Sequence, residues 1–434
     1  MNSHPTLGSE TMPLFRTEPP PILGISERSN FEQQTFLSSS IQQQTTSGAS
    51  QLFTFTSYRT YGGVGNEAVY SMIKTSDHGL AMAGYTNSFG AGQYDFWLIK
   101  TDVVGNVQWT KTYGGPNDDY AYSVVQTSDN GFALAGGTKS LGAGDFDLLL
   151  VKTDALGNQQ YNKTFGGIWE DWGYSITKTY DGGLILAGFT ASFGLGSGDL
   201  WLIKTDASGN LEWSQTYGDI YYDAASAVIQ TVDGGFAVVG STYSYGNGGS
   251  DAWLVKTDNL GNSQWRKTYG GTGEDFGYSL VQTVDNGFAI AGSTSSFGAG
   301  IYDFWLVRTD NLGQEKWTKT FGGIGYDAAW SLVQTLDGGF ALAGWTETYG
   351  AAFSDCWLIQ TDASGNKQTD VVWSGSNYDY AYSMVQISSG AYAMAGETSS
   401  YGAGSYDSLY VLALQSEASR PGEGAAGGGL KYHR

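Results

Sequence analysis

Residues 283–317 read TVDNGFAIAGSTSSFGAGIYDFWLVRTDNLGQEKW, and this stretch recurs with edits seven times along the 434-residue chain. One slot measures the period: Ser71, Ser123, Ser175, Ala227, Ser279, Ser331 and Ser383, spaced 52 residues apart. Self-similarity at such a period marks an array of supersecondary units, each unable to bury its own apolar surface alone. The copy at 121–165 shows what one unit contains. Tyr122 to Thr127 is β-branched and ends at Asp129-Asn130-Gly131, where Asn and Gly tolerate positive φ, so a strand and a hairpin turn are expected. Phe132 to Gly136 alternates large and small side chains, the period-two pattern of a second strand. Leu148 to Val151 is apolar throughout, as in a strand covered on both faces. Asp154 to Asn158 forms a turn, and Gln159 to Phe165 a fourth strand. These are strands a, b, c and d of one blade. No segment keeps a helical period.

The implied fold is all-β: a seven-bladed β-propeller with four antiparallel strands per blade, spanning 51–416. Strands a, b and c occur seven times, whereas strand d follows strand c only six times. The missing copy stands at the other end, where Phe55 to Gly63 matches Val107 to Gly115. The amino-terminal strand is therefore expected to complete the last blade, which removes an open sheet edge. Strand b carries Ala and Gly at alternate places, expected to let neighbouring sheets approach near the axis. Residues 1–50 hold five of the seven prolines and a Gln-rich run, and are expected to be a disordered polar tail. Residues 417–434 are expected to be a flexible Gly- and Ala-rich tail. Glu10, Arg16 and Glu18 interrupt any apolar core near the start, so no secretory signal is expected there. No apolar run reaches membrane-spanning length, so no membrane insertion is expected.

The formal net charge is -21. Most of it belongs to the repeat: four acidic slots, typified by Asp119, Asp147, Asp129 and Asp154, hold more than half of the 42 acidic residues. The balance argues against nucleic acid as a partner. Cys356 is the one cysteine, so no internal disulfide can form, and a buried inert thiol is expected.

The repeat Asp181-Gly182-Gly183-Leu184, Gly188, Thr190, Ser192, Gly194, Gly196, Asp199, Trp201-Leu202-Ile203-Lys204-Thr205-Asp206, Gly209-Asn210 and Trp213 resembles a poorly characterised β-propeller repeat family. That repeat is common in exported and surface proteins of archaea and bacteria. The resemblance covers residues 51 to about 416. It implies a propeller and an extracellular or cell-surface address, and names no reaction.

The chemistry-bearing residues are few. The three histidines, His4, His78 and His433, lie far apart in the repeat plan, which leaves no zinc site or Ser-His-Asp triad. The glycine-rich loops lack the helix and lysine of a phosphate loop. Arg59, Arg266 and Arg308 are the arginines of the repeats, the first and last each replacing a lysine of another repeat, and all three are expected to point outward. Two acidic slots, Glu67/Asp119/Asp171/Asp223/Asp275/Asp327/Asp379 and Asp95/Asp147/Asp199/Asp251/Asp303/Asp355/Asp407, should meet on one face, because the d-to-a and b-to-c loops emerge together. Calcium is the candidate cofactor, at Asp119, Asp147, Asp171 and Asp199. The competing explanation, capping of loops by Asp, accounts better for a residue found in every blade. A carboxylate-based glycosidase or lyase needs two carboxylates in unlike environments, which equivalent rings do not supply.

Binding is expected where repeats differ. Nine of fourteen tryptophans fill two repeat slots, and Trp330 and Trp373 replace recurrent Tyr or Phe; all eleven are expected to pack blades. Trp169, Trp172 and Trp345 remain, joined on the acidic-ring side by Tyr85, Phe189, Tyr221, Tyr222, Tyr326 and Tyr378. Aromatics beside carboxylates suit sugar stacking or a protein hot spot, unless they only cover the loops. The expectation is a non-catalytic binding or scaffold propeller with a protein or glycan partner. Self-association into a filament or sheath is the second reading and the glycosidase or lyase the third.

Overall fold

The computed structural model describes residues 32–36, 51–351 and 353–417. The second repeat forms four antiparallel strands in hydrogen-bonded order: Asp119–Gln126 (a), Phe132–Thr138 (b), Asp147–Thr153 (c) and Gln159–Phe165 (d). The a–b turn places Asn130 at φ 63°, as the Asn-Gly pair requires. Seven such sheets form a ring in which each inner strand a touches the inner strands on both sides, the seventh meeting the first.

The ring closes as expected. In blade seven, Asp379–Ser388, Ala391–Thr398 and Asp407–Glu417 are followed by Gln51–Gly62, with Tyr61 opposite Ser408 and Phe55 opposite Ala413. Glu32–Phe36, inside the stretch expected to be a tail, pairs antiparallel with Gln51–Gly62 as a fifth strand. That outer strand presents a row of ladder groups, and Glu32–Phe36 pairs with them. The rest of residues 1–50, and residues 418–434, lie outside the described residues.

Each seam between blades has its own core. Between blades one and two, Ala81, Phe96, Leu98 and Tyr113 pack against Ala121, Phe132, Leu134 and Val151. The outer-strand tyrosine locks the seam: the Tyr113 hydroxyl donates to the Gly157 carbonyl at 2.7 Å. Tyr61 does the same across the closing seam, donating to Gly105 at 2.7 Å. The 52-residue serine slot stitches the inner ring. Ser123 accepts the Ile176 N–H of the next blade at 3.1 Å, Ser175 accepts Val228 at 3.1 Å, and Ser383 accepts Met72 at 3.0 Å. Strand a is bulged at this slot, between Ala121 and Ser123, which turns an N–H out of its own ladder and toward the neighbour.

One expectation gains a second cause, and another needs correction. The strand-b glycines serve blade-to-blade approach in part: a Cβ on Gly136 would meet Phe96 of one neighbouring blade, and one on Gly137 would meet the Trp172 ring of the other. A Cβ on Gly136 or Gly240 would collide with the carbonyl oxygen of Tyr120 or Ala224, in strand a of the same blade, so the bulge beside it demands glycine. Arg59 and Arg308 do not point outward: both are 7% exposed, while Arg266 is exposed. The strand-c cation slot faces inward. Lys100, Lys152, Lys204 and Lys256 are buried there and pair with Asp77, Asp129, Asp181 and Asp233 of the a–b turns at 2.8–3.0 Å. Arg308 takes the same place against Asp285 and the Thr309 carbonyl. The long stem is covered by the blade while the charged tip reaches the turn. Cys356 is buried as a free thiol.

Candidate functional site: the loop face above blade three

The two acidic rings do meet on one face, and they interleave. The strand-c aspartate of one blade lies beside the strand-a acid of the next, with the glycine ending strand d between them. At the seam of blades two and three, a Cβ on Gly166 would strike both Asp147 and Asp171. Asp171 accepts the Gly167 N–H at 2.8 Å and the Ser192 hydroxyl at 2.7 Å on one oxygen, and the Thr190 hydroxyl on the other. Asp147 accepts the Ala143 N–H at 2.8 Å. At the next seam, Asp199 accepts the Leu195 N–H at 2.6 Å. Asp119 accepts the Gly115 N–H at 2.8 Å and the Ser140 hydroxyl at 2.7 Å. N–H and O–H donors converge on these carboxylates, which is the surrounding of a capped anion, whereas calcium needs oxygen lone pairs. Among the described residues no group of three or more His, Cys, Asp or Glu side chains is placed to hold a metal.

Burial, reinforced by the neighbouring carboxylate, holds several of these acids above the usual carboxyl range. Asp199 and Asp251 rise to about 6, and Asp379 and Asp407 to about 7. All seven pairs sit beneath the loops, at 3% exposure or less where their burial is given.

Above them, the loops of blade three combine a recurring aliphatic slot, Ile168 and Ile220, with Trp169, Leu195 and Tyr221, which replace small or polar residues of other blades. These loops expose Ile168 (70%), Trp169 (60%), Leu195 (65%), Ile220 (62%) and Tyr221 (57%), with Phe193 nearby. The loops are tied together: the Trp169 N–H donates to Ser192 at 3.1 Å, and Gly196 lies so close to Ile220 that a side chain there would strike its carbonyl. A hollow of about 410 Å³ opens among Trp169, Glu170, Phe189, Ala191, Gly196, Ser197 and Tyr222. Single exposed apolar side chains are ordinary on a surface; a contiguous set on three joined loops is not.

Five of the nine aromatic candidates gather here, though not all at the surface. Trp169 and Tyr221 are exposed and Tyr222 is half-buried. Trp172 and Phe189 are 8% and 6% exposed and belong to an inner cluster with Phe146 and Ala224. Their expected exposure is therefore corrected. Gly137 leaves room for the Trp172 ring, a Cβ there being unable to coexist with it, and Phe189 packs beside Ala224. The other four lie elsewhere. Tyr85 meets Tyr94 and Tyr120 edge-on at 5.2 and 5.3 Å. Tyr326 stacks on Tyr302 at 5.6 Å, Trp345 meets Tyr380 at 5.5 Å, and Tyr378 stacks on Phe353 at 4.9 Å.

A second aromatic feature was hidden by its regularity. The fourth position of strand a holds Tyr70, Tyr122, Tyr174, Ser226, Tyr278, Trp330 and Tyr382. From Tyr278 through Trp330, Tyr382, Tyr70 and Tyr122 to Tyr174, successive rings lie 4.4–5.5 Å apart, a belt around the axis broken at Ser226. Because these tyrosines recur, and Trp330 replaces one, the repeat pattern points to packing alone. The signal available was that inner-strand residues must face the axis.

No family model matches the chain. It is 30% identical over 137 residues to the regulatory protein FlaEY of Caulobacter vibrioides, 28% of this chain and 14% of that protein. The chain thus spans about a seventh of that relative's length. Among solved structures, it is similar to the Pan2 WD40 domain of Neurospora crassa (TM-score 0.49, 9% identity, 81% of this chain and 97% of that one). It is similar as well to a protein of unknown function from Dyadobacter fermentans (TM-score 0.45, 12% identity, 83% of this chain and 99% of that one).

Proposed function

We propose that this propeller is a non-catalytic binding or scaffold protein that engages a partner protein through the loops above blade three. The observation that carries the reading is the contiguous exposed set Ile168, Trp169, Leu195, Ile220 and Tyr221 beside an open hollow. Aromatic anchors ringed by aliphatics suit a protein hot spot. A sugar gains from the flat ring of Trp169 but little from branched Ile168, Leu195 and Ile220, so a protein partner is favoured over a glycan. A non-catalytic role is supported by the carboxylates: they come as near-equivalent buried pairs, and catalysis by two acids needs them exposed to substrate and unlike each other. The resemblance of the repeat to those of exported and surface proteins supports a cell-surface setting.

The test is a photocrosslinker at Trp169, with Ile168→Asp/Ile220→Asp as the control. Crosslinked partners lost in that variant support the reading. The same partners captured by both proteins, or turnover of any substrate in a polysaccharide panel, would overturn it. Crosslinks between copies of this chain alone would replace it with self-assembly.

A further inference from the structure

We propose that the channel mouth between blades seven and one receives an alkylammonium group, the side chain of a lysine on a basic partner protein. This rests on the protein-binding reading and names the chemistry of the partner.

The strand-b slot that faces Tyr380 in blade seven holds Glu397. The equivalent residues of the other blades, Tyr85, Gly137, Phe189, Ser241, Ser293 and Trp345, carry no charge. Glu397 therefore owes nothing to the repeat. The Tyr382 hydroxyl donates to its Oε1 at 2.8 Å. Tyr380 and Tyr382 stack at 6.0 Å with planes 8° apart. Tyr70 of blade one lies 5.1 Å from Tyr382 and 5.9 Å from Tyr85. All five side chains are half-buried, so each keeps some surface toward solvent. Burial first, and the Glu397 charge with it, push the phenols of Tyr70, Tyr85 and Tyr382 upward. The rings stay neutral and the site carries a single negative charge among four aromatic faces.

Such a set attracts a cation twice, through the ring quadrupoles and through the carboxylate. A planar guanidinium is best met by a carboxylate offering both oxygens side by side. Here Oε1 already accepts Tyr382, which matches a compact ammonium better. The net charge of -21 draws basic partners toward the surface.

The experiment titrates Nα-acetyl-lysine methylamide into the full chain by NMR, with its norleucine and Nε-acetyl-lysine counterparts as neutral probes. The expected result is binding of the lysine probe alone, weakened at least tenfold by Glu397→Gln and untouched by Trp169→Ala. If Glu397→Gln lowers the melting point, Tyr85→Leu provides the second reading, with the same weakening expected. Equal binding of a neutral probe, or full affinity in Glu397→Gln, or no binding to a cooperatively melting wild type, overturns the proposal. Because Trp169→Ala disables the blade-three contact and not this one, failure of either proposal is visible without the other.

Discussion

The paired acids and the loops above them lie within a few residues of each other, yet they obey opposite rules. Asp147 and Asp171 recur at every seam, are buried, and are met by backbone N–H and hydroxyl donors supplied by their own blades. Trp169, Tyr221 and Leu195 stand in slots that hold Gly, Asn or Ala in the other blades, and they face solvent. The same backbone plan serves both. What repeats seven times answers a need every blade has; what appears once is free to answer a need outside the molecule. A carboxylate cluster and a row of tryptophans would look equally functional in a chain without repeats.

The comparison breaks first, and hardest, at closure. Deleting 51–62 strips blade seven of the strand that supplies Phe53, Phe55, Tyr58 and Tyr61 to two seam cores. The expected outcome is loss of the cooperative melt and appearance of aggregates in size-exclusion chromatography. Next comes the bulge. Gly240→Ala places a methyl against the Ala224 carbonyl and should cost about 3 kcal/mol in denaturant unfolding.

The acid pairs give a pH test. Asp379 titrates at about 7 and Asp199 at about 6 in the folded chain, against roughly 3.9 when unfolded. Between those values the native state holds more protons, so stability falls as pH rises from about 4 to about 7. Asp77, Asp129 and Asp181 act oppositely. Hydrogen bonds from Thr and Lys outweigh desolvation and hold them near 2, so their contribution is present above roughly pH 4 and is lost as pH falls toward 2. The melting point should therefore peak in the mildly acidic range, and Asp379→Asn should flatten its fall toward neutrality. Added calcium should leave the melting point unchanged; a rise would turn the pairs into a cation site.

Smaller effects sharpen the contrast. Ser175→Ala leaves the Val228 N–H without its acceptor and should cost about 1–2 kcal/mol. Ala227→Ser restores a missing stitch and should add about 0.5–1 kcal/mol. Trp169→Ala, on the loops, should move stability by less than about 0.5 kcal/mol, while weakening partner capture about thirtyfold in a titration, as hot-spot removal does.

The fold was legible because its signals are local and repeated. Asn130-Gly131 announces a hairpin by itself, and Phe55 to Gly63 matches six other outer strands. Side-chain direction was less legible. Arg308 looks like a surface charge until the strand-c slot is seen to aim at the a–b turns, and Arg59 until its guanidinium is seen to turn back onto the Tyr58 carbonyl of its own outer strand. Trp172 was expected at the surface because it does not recur; it is buried because Gly137, in the neighbouring blade, leaves it a space, and a single sequence does not show that pairing. Ile168, Leu195 and Ile220 carry no ring or charge, so in a single sequence nothing separates them from buried aliphatics. The axial tyrosines are masked for the opposite reason: they recur, and recurrence by itself points to packing although strand a has one side toward the axis.

The closing strand also sets an order of events during synthesis. Gln51–Gly62 leaves the ribosome with the first blade, but Asp407–Glu417, its partner in the ladder, emerges some 350 residues later. At translation speeds of about 5–20 residues per second, that wait lasts tens of seconds. Throughout it, Glu32–Phe36 can pair with Tyr58 to Gly62, but Phe53 and Phe55 lack their native ladder partner. A wait of that length leaves Phe53 and Phe55 open to neighbouring nascent chains, so synthesis at lower chain density should raise the yield of closed ring.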